Sequence, residues 1–326
     1  MGRRLQDSNK SIYDVIRKYN LSASDLSIRT YVSNIEKLYR DLDVDVDNKN
    51  YKEFEDVDKI LKLLDEQEIS INTYKNKISS IITYLLANGS DKKIVGKYSD
   101  KVDALSAKID RQQNKMEWNE KENNNKEDLN VLKEYIVKMK DKLPPVINKF
   151  VDLYKYQIYL VGAFHLDYPL RNELADMRIY TQSEYDKLNK TDPESNYFVI
   201  NTKNNTASVI LNKYKTSKTY KTIEFEVDNK ELVQTFFKYY NGLKKVIPED
   251  NLKEHWLLFK HDFNKLSRND YTKFLNRVFE GTGKRISSSL IRKIVLSSVY
   301  PVEKMKSLSK IMGHSIKTAV DDYVKS

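Results

Sequence analysis

The chain has 326 residues, 40% hydrophobic and 32% charged, enough for two domains that each bury a core. It contains no cysteine, which excludes disulfides, thiolate zinc sites and a cysteine nucleophile together. The formal charge is +10, unevenly spread: residues 1–117 carry 21 Lys and Arg against 20 Asp and Glu, and residues 118–326 carry 36 against 27. A basic domain joined to a neutral one points to a polyanionic partner, of which nucleic acid is the commonest, although lysine is used heavily throughout. No apolar run approaches the ~20 residues that span a bilayer. The start, "MGRRLQDSNKS", has no apolar core of a signal peptide, and Gln6 and Asp7 fit myristoylation poorly.

The first third reads as helices. "SDLSIRTYVSNIEKLYRDL" places Leu26, Tyr31, Ile35 and Leu38 at helical spacing, with Ser24 or Asp25 as the N-cap. "EFEDVDKILKLLDEQ" follows, then "SINTYKNKISSIITYLLANGS", stopped by Asn88-Gly89, then "KYSDKVDALSAKID". Four short amphipathic helices make a small bundle. The acidic stretches "DLDVDVD" and "EFEDVD" read as solvated loops and helix starts rather than Mg²⁺ sites. The polar, aperiodic stretch "DRQQNKMEWNEKENNNKED" places a linker near residues 109–118. The predicted domains are therefore 1–117 and 118–326.

A second helical block begins near Glu127 and includes "PPVINKFVDLYKYQIYLVGAF". "NYFVINTKNNTASVILNKYKTSKTYKTIEFEV" then switches to β-type residues with turn signals, predicting two or three antiparallel strands. From Lys230 the pattern is helical again. The expected fold class is mainly α (α+β): an N-terminal helical bundle, then a mostly helical domain with a small antiparallel sheet.

Four places carry residues suited to chemistry. In "LSKIMGHSIKTAVDDYVKS", Gly313 ends one helix, Ser315 can cap the next, and Ile316, Val320 and Tyr323 share a face. Taken alone, that fits a core tyrosine and a loop histidine. In "SSSLIRKIVLSS" a serine cluster caps a helix, with Arg292 in its first turn and Ser289 three residues earlier. A cation there opposes the helix dipole unless an anion is to be held. In "FHLDYPLRNELADMRIY", Pro169 breaks a helix and Arg171 begins the next. "NKYKTSKTYK" is a lysine-rich turn between strands. The four histidines, His165, His255, His261 and His314, show no metal-ligand spacing, and the eight glycines form no phosphate loop.

The order Arg171, a hairpin lysine, x-x-Arg292, Gly313-His314 and then Tyr323 nine residues on resembles the tyrosine recombinases, the phage-integrase family. "SIRTYVSNIEKLYRDL" and "INTYKNKISSIITYLLANG" are similar to that family's core-binding domain. "YPLRNELADMRI" and "LSKIMGHSIKTAVDDY" are similar to its first-arginine and His-to-Tyr boxes. The resemblance implies that residues 1–117 are the core-binding domain and 118–326 the catalytic domain, closing as a clamp on double-stranded DNA. It implies that Tyr323 attacks a DNA phosphate to leave a 3′-phosphotyrosyl bond, that Arg171 and Arg292 grip the non-bridging oxygens, and that Lys215, or else Lys218, protonates the leaving 5′-oxygen. His314 would orient the phosphate or move the tyrosine proton. Ser289 stands where the family usually has His or Lys, and its hydroxyl can still bond a phosphate oxygen. Glu173 follows Arg171 by two residues instead of three, and "TQSEYDKLNKTDPESNYFVINTKNNT" looks like an insertion.

Two planar guanidiniums can offset the phosphodiester charge, so the implied chemistry uses neither metal, cofactor nor ATP. The role implied is site-specific integration or excision of a mobile element or viral genome. The assembly implied is a homo-tetramer on paired sites, intracellular wherever the target DNA lies, without a membrane. Relatives commonly continue into a C-terminal helix that docks on a neighbour; with a chain stopping at Ser326, assembly would rest on other contacts. Alternatives that share the tyrosine and arginines are a type IB topoisomerase or a telomere resolvase; a non-catalytic DNA-binding protein on the same scaffold is the alternative from another class.

Overall fold

The computed structural model describes residues 11–44, 50–114, 118–188, 192–298 and 308–324. The chain divides into two compact units, Met1–Lys115 and Met116–Ser326. The first is all helix: α1 Ile12–Tyr19, α2 Asp25–Asp41, α3 Val57–Asp65, α4 Ile71–Ala87 and α5 Lys92–Asn114. Each of the first four starts on a side-chain cap, Ser11, Ser24, Asp56 and Ser70, whose oxygen accepts a backbone N–H of the first turn. α4 packs against α1, α2 and α5 and ends at Asn88-Gly89, with Gly89 left-handed at φ 74°. The core joins Ile28, Ile35, Leu38, Tyr39, Phe54, Ile78, Ile81 and Tyr98.

Two features differ from the expectation. Helix α1 was not foreseen, because "SIYDVIRKYN" is short and half polar. On α2, Leu26 is 76% exposed and Ile28 takes the buried place, so the apolar stripe runs through Ile28, Ile35, Leu38 and Tyr39. Lys77 is also buried on α4, where its ammonium meets Gln67 Oε1 at 2.6 Å and Asp41 Oδ2 at 3.4 Å. Asp41, the first acid of "DLDVDVD", is therefore a structural ion-pair partner; residues 45–47 of that stretch lie outside the described residues.

The second unit is built around α8 (Phe150–Asp167), whose apolar residues run right round the helix, as befits a buried element. Around it pack α7 (Leu129–Asp141), α11 (Lys230–Val246), α13 (Arg268–Val278) and α14 (Ser288–Ser298). The short helix α6 (Glu120–Asn125) precedes them, α9 (Gln182–Tyr185), α10 (Ser217–Tyr220) and α12 (Glu249–Leu252) are single turns, and α15 (Ile316–Tyr323) is the last described helix. The core includes Leu153, Phe164, Phe198, Val209, Phe236, Tyr239, Phe259, Leu275 and Ile291. At its centre the Gln157 carboxamide acts as a strand partner: Oε1 accepts from Phe259 N at 2.7 Å and Nε2 donates to Phe259 O at 3.1 Å. Buried backbone groups that would otherwise lack a partner are thereby satisfied.

The fold is mainly α with one small sheet, and the sheet is mixed. Four strands lie in the order β1 (Met177–Thr181), β2 (Asn196–Asn201), β3 (Thr206–Leu211) and β4 (Ile223–Glu226). β2, β3 and β4 pair antiparallel, while β1 pairs parallel with β2, Met177 opposite Asn196. Strand β1 was not foreseen; "MRIYT" is too short to show alternation. Its pairing explains the apparent insertion, because parallel strands need a crossover and residues 182–195 are that crossover. Tyr185 and Leu188 of the crossover pack on Tyr180, Tyr197, Val199 and Ile210, covering the sheet face turned away from the main core. Among the described residues no strand pairs with the outer edge of β4, which carries exposed Glu224 and Glu226.

Candidate active site

Tyr323 lies at the C-terminal end of α15, which starts on a Ser315 cap accepting from Thr318 N at 3.1 Å. The helix is held to α14 by Ser297 Oγ, which donates to the Tyr323 carbonyl at 3.3 Å. Tyr323 is half-buried, and three side chains from three other segments converge on it. Arg171 Nη2 donates to its hydroxyl oxygen at 3.2 Å. The Arg292 guanidinium carbon sits 4.6 Å from its ring centroid. The His314 imidazole stacks on the ring, centroids 5.3 Å apart and planes at 18°.

Arg171 does not begin an α-helix. Helix α8 stops at Asp167, the chain bends through Pro169, and a single 3₁₀ turn, Glu173–Asp176, leads into β1. The bend is fixed by its neighbour Asn172, whose Oδ1 accepts from Ser288 Oγ at 2.8 Å and whose Nδ2 reaches Thr272 Oγ1 at 3.3 Å. Asn172 therefore ties the arginine bend to α13 and to the start of α14.

Arg292 lies in the second turn of α14, not the first, because the helix starts at Ser288. It is 1% exposed, and its Nε and Nη2 have no hydrogen-bond partner among the described residues. Burial pushes this guanidinium down to about 10; the Tyr323 oxygen opposes that shift and the like charge of Arg171 adds to it. It remains protonated at neutral pH. Charges this deeply buried are normally paired, so a cation with unpaired donors is set for an anion.

His314 is buried on the loop after Gly313, which is left-handed at φ 64°. Its Nδ1 lies 3.2 Å from the Ser315 carbonyl, which can only accept, so Nδ1 carries the hydrogen and Nε2 is left as a lone-pair acceptor without a partner among the described residues. Burial holds this imidazole down at about 4, opposed by the Ser315 carbonyl and helped by both arginines, so it is neutral at pH 7. The imidazole is thus a neutral acceptor stacked on the face of the phenol, and among the described residues no hydrogen bond joins its Nε2 to the Tyr323 hydroxyl.

Lys215 sits exposed on the turn between β3 and β4, with no hydrogen bond or ion pair among the described residues; Lys218 is exposed on α10. Ser289 is exposed on α14, whereas Arg292 three residues on is buried, so the two do not share an environment. Arg171, Arg292, His314 and Tyr323 are thus brought together, and Lys215, Lys218 and Ser289 are not in contact with that group. Among the described residues no group of three or more His, Asp or Glu is gathered as for a metal ion, and no helix is long and apolar enough to cross a membrane.

Sequence reading missed a buried layer behind the arginines. His165 is wholly buried on α8, its Nε2 2.6 Å from the Tyr271 hydroxyl. Burial, with the charge of Arg292 second, pushes His165 down to about 3. Glu173 is buried nearby, its Oε2 without a partner among the described residues. His165 and Tyr271 are 106 residues apart, and no local pattern pairs them.

No family model matches the chain, and no curated protein matches it. Among solved structures it is similar to one described as the crystal structure of XerA recombinase, at TM-score 0.38 and 11% identity, over 97% of this chain and 95% of that one. A likeness at that level leaves the chemistry to be argued from the residues themselves.

Proposed function

We propose that this protein breaks and rejoins DNA strands through a covalent bond to Tyr323, as a site-specific recombinase. The observation that carries the reading is the convergence of Arg171, Arg292 and His314 on one phenol, with unpaired guanidinium donors beside it. His314 takes the phenolic proton, and the phenolic oxygen attacks phosphorus. The arginines offset the charge on the non-bridging oxygens. The bond to the 5′-oxygen breaks, its electron pair going to that oxygen, which takes a proton from Lys215. The 3′-phosphotyrosyl ester keeps the bond energy, so attack by a 5′-hydroxyl reverses the steps and seals a strand. The basic surplus of residues 118–326 supports a duplex DNA substrate. Exchange between two sites requires four such subunits, one per strand.

The test is a nicked duplex that loses its 5′ fragment on cleavage and so traps the adduct. Each candidate site is offered in turn, and protein–DNA bands are read after denaturation. Wild type should give a band that maps to Tyr323, and Tyr323→Phe should give none while binding DNA equally. An adduct that persists in the Phe variant places the nucleophile on another tyrosine, such as Tyr300, which lies outside the described residues. Absence of any wild-type adduct across a library of sites leaves a DNA-binding protein without this chemistry.

A further inference from the structure

The turn between β3 and β4, residues 212–222, is anchored on both sides of Lys215. On one side Tyr214 is buried, and its hydroxyl donates to the Lys221 carbonyl at 2.6 Å, closing the turn on itself. On the other, Thr216 Oγ1 donates to the carbonyl of Gly313, 97 residues away, at 2.6 Å. The contact is close on both sides: a Cβ placed on Gly313 would lie 2.6 Å from Tyr214 Cε2 and 3.2 Å from Thr216 Oγ1. The root of the turn is fixed by Asn196, whose Oδ1 accepts from Asn212 N at 2.9 Å and from Lys213 N at 2.8 Å. The residue after Gly313 is His314. One threonine hydroxyl therefore ties the peptide that carries Lys215 to the peptide that carries His314.

We propose that Thr216 is a positioning residue, holding the Lys215 turn against the His314 loop so that the donor to the 5′-oxygen and the acceptor of the phenolic proton are set together. This rests on the function proposed above. Lys215 is itself exposed and unpartnered among the described residues, so nothing on its own side chain fixes its direction; the fixed points are its two neighbours.

The step affected is departure of the 5′-oxygen. When the P–O5′ bond breaks, the electron pair goes to an alkoxide that needs a proton, and Lys215 supplies it. A sulfur in that bridging position leaves as a thiolate, whose acid has a pKa of about 8.5, and needs no proton. Loss of lysine positioning must therefore slow an oxygen-bridged duplex and spare a sulfur-bridged one.

The experiment compares adduct formation on nicked duplexes with O5′ or S5′ at the scissile phosphate, for wild type, Thr216→Val, Thr216→Ala, Thr216→Ser and Lys215→Ala. Expected are slowing of about 10- to 100-fold for Val and Ala on the oxygen duplex, a part of the general-acid contribution, and a still larger loss for Lys215→Ala. All four should run near the wild-type rate on the sulfur duplex, and Ser, which keeps the hydroxyl, should recover most of the oxygen rate. Equal slowing on both duplexes would mean that Thr216 only supports the fold, and an unchanged oxygen rate in Val and Ala would mean that the tie does nothing; either overturns the proposal while the Tyr323 reading stands. An unaffected Lys215→Ala puts the proton donor elsewhere and overturns it too. No wild-type adduct on either duplex overturns the Tyr323 reading and this proposal together.

Discussion

Arg292→Met separates stability from chemistry at one position. The guanidinium is 1% exposed, and burial brings it from 12.5 to about 10. At pH 7 it is charged in both the folded and the unfolded chain. At about 1.4 kcal/mol for each pH unit, keeping that charge in the folded interior costs on the order of 3 kcal/mol. Methionine has a similar reach, fills irregular space and carries no charge. It gives up the contact of the cation with the Tyr323 ring at 4.6 Å, worth about 0.5–2 kcal/mol. The net expectation is a gain of about 1–2 kcal/mol, or roughly 2–8 °C in Tm for a unit of this size. Urea denaturation at pH 7 measures it, and adduct formation should fall by at least 10²-fold, as for a lost oxyanion donor. Arg292→Lys is the control: it keeps a charge and should gain nothing. If the methionine variant were destabilised by more than about 1 kcal/mol, the guanidinium would be held by partners in the folded chain, and the argument that it awaits an anion would fail.

Other expectations concern the same unit. Gly313→Ala places a Cβ against Tyr214 at a left-handed residue; backbone strain of about 1–2 kcal/mol and overpacking of about 1–3 kcal/mol should both appear in a thermal melt. Burial lowers His314 to about 4 and His165 to about 3, so the unfolded chain takes up protons below pH 6.5 while the folded chain does not. Stability should be full above pH 6.5 and fall towards pH 4, by about 2 kcal/mol per histidine at pH 5; a denaturation midpoint equal at pH 7.5 and pH 5 would contradict the buried, neutral state. DNA affinity should fall steeply and linearly on a log–log salt plot. Cleavage should continue in EDTA because the arginines supply the charge, and abolition reversed by Mg²⁺ would refute that electrostatic argument.

Much of the fold was legible where a local rule governs it. Serine caps, the Asn88-Gly89 stop, the Gly313 turn and the Ser315 cap are decided within four residues, and reading along the chain finds them. What failed was non-local or too short to show a period. Strand β1 exists because β2 and the segment around Trp256 receive it on either side, which five residues cannot announce. Leu26 and Ile28 differ only in which way the helix rolls against its neighbours. At the site, Arg171, Arg292, His314 and Tyr323 stand out only through the resemblance of their order and spacing to the tyrosine-recombinase boxes. That Arg292 is almost wholly buried while Ser289 is exposed depends on how α14 packs, and the His165–Tyr271 pair on a contact between α8 and α13.

The edge of β4, unpaired among the described residues, bears on how the protein behaves in bulk. An unpaired strand edge is a template on which a second copy can build a sheet, and natural proteins guard such edges with charge. Here the guards are Glu224 and Glu226, both exposed, in a half that is otherwise rich in lysine. Two copies approaching edge to edge would bring four carboxylates together. That barrier comes from the side-chain charge and is lost where the charge is removed. Light scattering at neutral pH should therefore stay flat for the wild type as concentration is raised, and should climb with concentration for Glu224→Gln with Glu226→Gln. If scattering in the double variant matched the wild type at every concentration, the edge would be protected by something other than its charge.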